Sequence, residues 1–235
     1  MVHCPRSFAT DAEAETLFAQ ARRGEAVTGD ALDLWQGWLM ALFAEWNTEK
    51  GWAMQLHLGP YRDNNHRMSK KLGPDSGYDI MGESPQVERA VTFFDTLDQR
   101  GHLPKVIGYN LSSSHSEGLC HALNSFNEGP AKTKMQYGPA WWHLDHKAGI
   151  LKNLSLLAQH SALGNSVGML TDSRSFTSAV RHEYYRRLLC QFIGQAMEAG
   201  EMPDDFAAAK ELVADVCYAN ARSYFGFPCY EASMS

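Results

Sequence analysis

Apolar positions along the chain follow two rhythms, and the switches between them mark the elements. Leu32, Trp35, Leu39, Leu42, Phe43 and Trp46 fall on one helical stripe, which predicts an amphipathic helix over 30–50 with Gly51 as its stop. Upstream, Thr10-Asp11-Ala12-Glu13 sets a hydroxyl at a cap and a carboxylate three positions on, so each side chain can serve the other residue's backbone N–H. A short helix follows, ending near Gly24. Trp52-Ala53-Met54-Gln55-Leu56-His57-Leu58 reads as a strand. Three more strands are expected at 105–111, 134–138 and 167–172, the one at 134–138 following a Gly129-Pro130 break. Helices are expected over 84–100, 116–127 and 145–160, and two longer ones over 177–199 and 204–224 close the chain.

Alternation of this kind predicts an α/β fold with parallel strands and outer crossover helices. In such folds chemistry collects where strands give way to loops. The candidate positions are therefore His57 and Arg62, Asn110, Trp141 and Trp142, and Asp172 and Arg174. The polar stretch over 59–82 is too long for a routine connection, and loops of that length usually carry function.

Asp172 and Arg174 sit two apart at the exit of the fourth expected strand. The carboxylate could bind a divalent metal or take a proton, and the guanidinium could hold a carboxylate or an enolate-like oxygen through paired hydrogen bonds. A turn with a capping Asp and a solvated Arg explains the pair equally well. His57 could be a satisfied core histidine or a ligand. Trp141 and Trp142 could form a wall against a sugar ring or simply pack a helix on the sheet. His143 and His146 have no third ligand nearby. The chain has no GxGxxG, GxxxxGK[ST] or GxSxG sequence, so it offers no phosphate-binding or nucleophile-elbow fingerprint.

Composition narrows the classes. The 235 residues are 44% hydrophobic and 20% charged, ordinary globular usage. The net charge of −6 gives no basic stripe, so no nucleic-acid partner is expected. No apolar run reaches the roughly 20 residues of a membrane span, and no secretory leader is expected. Five scattered cysteines without a CxxC pair suggest reduced thiols, a cytoplasmic protein, and neither a zinc ribbon nor a disulfide framework.

Several ordered motifs resemble one family. Met54-Gln55-Leu56-His57-Leu58-Gly59, followed by Arg62-Asp63-Asn64-Asn65, resembles the MQLH-x-G…R-x-N-N segment of uronate (glucuronate) isomerases. Leu72-Gly73-Pro74-Asp75-Ser76-Gly77-Tyr78-Asp79 is similar to their LGPDTGFD stretch, and Trp141-Trp142 to their WW segment. Val167 through Phe176 is similar to VGMLTDSRSF, and Arg181 through Arg187 resembles RHEY-x-RR. The likeness runs from about Thr10 to Phe225.

The resemblance implies membership of the amidohydrolase superfamily, a (β/α)₈ barrel with a divalent metal, often zinc, and aldose–ketose isomerisation of D-glucuronate and D-galacturonate. It further implies that Asp172 contacts metal and acts as base, with Arg174 near the enediolate. By the same resemblance His57 belongs to the metal and substrate site, and Arg62, Trp141 and Trp142 contact substrate. The superfamily takes two ligands from a first-strand His-x-His, and this chain contains none. The expectation is a single domain over 1–235, the C-terminal half of the barrel with strands five to eight. The N-terminal half is then absent, supplied by another chain if the enzyme is split. The alternatives are a non-catalytic half-barrel remnant or a metal-dependent hydrolase; homo-oligomerisation is left open.

Overall fold

A computed structural model describes residues 3–82, 84–128 and 132–228. The Gly129-Pro130 break and Cys229 lie outside them. The order is α1 (Asp11–Arg22), α2 (Gly29–Lys50), β1 (Ala53–Leu58), β2 (Pro60–Tyr61), α3 (His66–Leu72), β3 (Ile80–Met81), α4 (Val87–Gln99), β4 (Lys105–Asn110), α5 (Ser116–Asn124), β5 (Met135–Tyr137), α6 (Lys147–His160), α7 (Val180–Glu198), α8 (Phe206–Ala214) and α9 (Asn220–Phe225). A three-stranded sheet has the order β1-β4-β5, and β1 runs parallel to β4 with His57 opposite Tyr109. The expected α/β class with parallel pairing is therefore observed. The chain divides into two compact units, Met1–Glu128 with Lys134–Gln136, and Gly129–Thr133 with Tyr137–Ser235.

In the first unit the Thr10–Glu13 cap forms as the sequence predicts, Thr10 N–H donating to Glu13 Oε2 at 2.8 Å. Met54, Leu56 and Leu58 bury one face of β1. Phe93, Phe94 and Leu97 of α4 and Leu119 and Leu123 of α5 are fully buried in the same core. The apolar stripe of α2 is less buried than its periodicity suggests: Phe43 and Trp46 stay 38% and 48% exposed. The buried positions of α2 are instead Asp33, Gly37 and Ala44. A Cβ at Gly37 would meet the Ser7 carbonyl, so the N-terminal segment crosses the helix on its small-residue side.

The 59–82 loop has structure of its own. β2 and β3 pair antiparallel at its base, and α3 fills its middle.

In the second unit, α6 contributes Ile150, Leu154 and Leu157 to the core, and α7 contributes Leu188, Leu189 and Ile193. The expected strand over 167–172 is irregular chain instead. Gly168 at φ +71° and Asp172 at φ +45° leave the extended region, and a strand cannot be propagated through either. The expected helix over 204–224 is continuous but contains one π turn, Asp215–Ala219. No helix among the described residues is long and apolar enough to cross a membrane.

Candidate functional site

In the first unit, His57 projects from β1 on the face opposite Met54, Leu56 and Leu58, since strand side chains alternate. Its ring lies 5.0 Å from that of buried Tyr109, tilted by 46°. The Tyr109 hydroxyl donates to Gln55 Oε1 at 2.8 Å, so Gln55, His57 and Tyr109 share this face of the paired strands. His57 is therefore held by an aromatic neighbour on the polar side of an otherwise apolar strand.

Arg62 stands just beyond β2. Its Nη1 donates to Asp79 Oδ2 at 2.8 Å and to Asp75 Oδ1 at 3.3 Å. Asp79 is 5% exposed at its side chain and also accepts the Asp63 N–H at 2.7 Å. Asp63 Oδ1 in turn accepts the Asp75 N–H at 3.1 Å. These bonds tie the two limbs of the 59–82 loop together. Arg62 keeps a half-exposed side chain.

In the second unit, Trp141 and Asp172 come together. The buried Trp141 indole Nε1–H donates to Asp172 Oδ2 at 2.8 Å. Asp172 is exposed, and its Oδ1 has no hydrogen-bond partner among the described residues. Trp142 stands at φ +50°, a left-handed conformation unusual for a bulky side chain, and stacks on His143 at 4.8 Å. Arg174 is exposed two residues beyond Asp172 and makes no ion pair among the described residues. One carboxylate oxygen is thus oriented and the other open, with an open guanidinium close in sequence. This arrangement can accept a proton or ligate a cation, and can bind an anion.

One supporting residue carries no periodicity signal. Arg181, on the first turn of α7, donates from Nη1 to the Thr171 carbonyl at 2.7 Å. It also forms an ion pair with Asp145, whose side chain is buried. Arg181 lies inside the RHEY-x-RR-like segment, but nothing in its spacing points to Asp145 or to the residue before Asp172. Asn110, at the end of β4, is buried and spends its amide on the Ser112 carbonyl at 2.7 Å, a turn-closing role.

A family model described as glucuronate isomerase matches residues 2–225. The uronate isomerase of Opitutus terrae is 40% identical over 225 residues, covering 96% of this chain and 48% of its own length. That of Caldicellulosiruptor saccharolyticus is 42% identical over 215 residues, covering 92% and 46%. The crystal structure of uronate isomerase from Thermotoga maritima superposes with a TM-score of 0.85 at 31% identity, covering 95% of this chain and 48% of that one. The chain spans about half the length of the curated relatives it matches.

Proposed function

The chain belongs to the glucuronate isomerase family, and on that premise we propose that it carries the C-terminal half of a uronate isomerase. The reaction proposed is aldose–ketose isomerisation of D-glucuronate to D-fructuronate, and of D-galacturonate to D-tagaturonate. The observation that carries this reading is Asp172, with one oxygen held by the Trp141 indole and the other open.

In the proposed reaction, the open Asp172 oxygen removes the proton from the carbon beside the carbonyl and returns it to the neighbouring carbon through an enediol-like intermediate. Arg174 stabilises the oxygen on which negative charge develops. Arg62 contacts the uronate, its half-exposed guanidinium fixed by Asp75 and Asp79. Trp141 and Trp142 present aromatic surface to the sugar, Trp142 being the less buried of the two. His57 is read as a metal ligand or a proton shuttle.

A carboxylate oxygen and an imidazole are donors that each suit a divalent ion such as zinc, so Asp172 of the second unit and His57 of the first are each proposed as a ligand. They are fewer than the three protein ligands usual for catalytic zinc, and the chain has no His-x-His to add. When bound, the ion polarises the carbonyl and acidifies the adjacent C–H. The remaining ligands are proposed to come from an N-terminal half on another chain. In that assembly β1, β4, β5 and the 167–172 segment take the places of barrel strands five to eight. Assembly in the cytoplasm is part of the proposal.

The test incubates the purified chain with D-glucuronate and zinc, alone and with the separately expressed N-terminal half of the Opitutus terrae uronate isomerase. NMR follows ketose formation. Conversion only with the second chain supports the split enzyme, and conversion by the chain alone supports an isomerase that needs no partner. No conversion in either arm overturns the isomerase reading in favour of a half-barrel remnant.

A further inference from the structure

Asn220 is distant in sequence from every candidate site residue, yet its side chain reaches the segment that carries Asp172. It is 5% exposed, and its Nδ2 donates to the Gly164 carbonyl at 2.7 Å and to the Ser166 carbonyl at 3.0 Å. An amide nitrogen has two hydrogens, and both are used. Asn220 opens α9 directly after the π turn Asp215–Ala219. That turn also meets the segment: a Cβ at Gly168 would lie 2.2 Å from the Val216 carbonyl oxygen. Further along, Arg181 holds the Thr171 carbonyl and Trp141 holds the Asp172 carboxylate. Besides the turn hydrogen bonds of 165 and 166, residues 164–172 are thus held by side chains at Gly164, Ser166, Thr171 and Asp172 and by a close backbone approach at Gly168, where a strand would have used its ladder.

Both features at the α8–α9 junction cost the helix something. Asparagine is a poor interior helix former, because its amide competes for backbone groups. A π turn is rare, and such turns occur often at functional sites. Neither improves the helix itself, and both touch the same short piece of chain. We infer that Asn220 is a positioning residue for the Asp172 carboxylate, setting the path of 164–168 and through it the orientation of residue 172. Its functional consequence rests on the proposed role of Asp172; its structural content does not.

The experiment labels the tryptophan side chains of the full chain with nitrogen-15 and assigns the Trp141 indole resonance with Trp141→Phe. Asn220→Ala is expected to move that resonance toward the position it takes in Asp172→Ala. Asn220→Ser, which keeps one donor, serves if the alanine variant does not fold, and is expected to move it in the same direction. An unmoved Trp141 resonance in a folded variant overturns the inference, whatever happens to the melting temperature. In the two-chain enzyme, misplacing the carboxylate should lower kcat by roughly 10²-fold with KM nearly unchanged. Unchanged kcat in Asn220→Ala, where Asp172→Asn is inactive, overturns the functional consequence. If Asp172→Asn is itself fully active, it is the role of Asp172 that fails, and the indole resonance decides the inference.

Discussion

Gly168→Ala should be among the most destabilising single-methyl additions in the second unit, and three glycines there separate the causes. Gly168 stands at φ +71°, and its Cβ would fall 2.2 Å from the Val216 carbonyl oxygen and 3.3 Å from the carbonyl carbon. An L-residue in the left-handed region costs roughly 1–2 kcal/mol. Displacing a backbone carbonyl to make room adds about 1–3 kcal/mol, so the expected loss is about 2–5 kcal/mol. Gly200 stands at nearly the same φ, +72°, with nothing within 4 Å of its Cβ position. Gly200→Ala should therefore cost only the first part, roughly 1–2 kcal/mol. Gly194, inside α7, has neither a left-handed φ nor a neighbour within 4 Å. Gly194→Ala should stabilise by about 0.5–1 kcal/mol. Urea unfolding with a common slope measures all three. If Gly168→Ala costs no more than Gly200→Ala, the close approach of Val216 to Gly168 is wrong, and so is the part it plays in holding the Asp172 segment.

Other outcomes follow from single contacts. In an assembled enzyme, Asp172→Asn should lower turnover by at least roughly 10²-fold while the circular dichroism melt of the chain stays unchanged, because residue 172 is exposed; full activity would remove it from the mechanism. Burial alone would raise the Asp33 carboxyl, but the Arg89 guanidinium and the backbone N–H groups of Arg6 and Ser7 outweigh it and hold the group below the ordinary aspartate range. The stability this adds is present above the unfolded-chain value and drains as pH falls through the folded one, so the melting temperature should fall steeply below about pH 4. Asp33→Asn should flatten that slope, and an unaltered slope would contradict the assignment. Burial pushes the Cys4 thiol up to about 12, whereas Cys190 is exposed; iodoacetamide at pH 8 with peptide mapping should mark Cys190 long before Cys4, and equal rates would place Cys4 at the surface.

Local signals were enough for much of the fold. The Thr10–Glu13 cap and the strand that carries His57 each depend on residues a few positions apart, and each formed where expected; α4 begins at Val87, two residues after the expected Pro85 start. The fourth strand did not. Val167, Met169 and Leu170 have the composition of a strand, but the positive φ values of Gly168 and Asp172 are settled by what surrounds them, and that information lies in Val216, Asn220, Arg181 and Trp141. The α2 stripe shows the same limit. Periodicity identified the helix, but the side it buries was decided by Gly37, where the N-terminal segment crosses. At the candidate site, Trp141 and Asp172 were each legible as strand-end residues, whereas their hydrogen bond joins positions that no local pattern connects. Arg62 was legible as a candidate substrate contact, but its hydrogen bonds to Asp75 and Asp79, far along the same loop, were not.

The way residues 164–172 are anchored sets how the molecule should fail. A strand inside a ladder opens only when its neighbours do, and its amide hydrogens exchange with solvent on the timescale of global unfolding. A segment pinned at a few points can detach while the helices around it stay intact. Amide exchange at Met169 and Leu170 should therefore be governed by a small local opening, well below the free energy that protects β1 and β4. Heat would then scatter the geometry around Asp172 before any loss of helical signal, so that inactivation precedes melting.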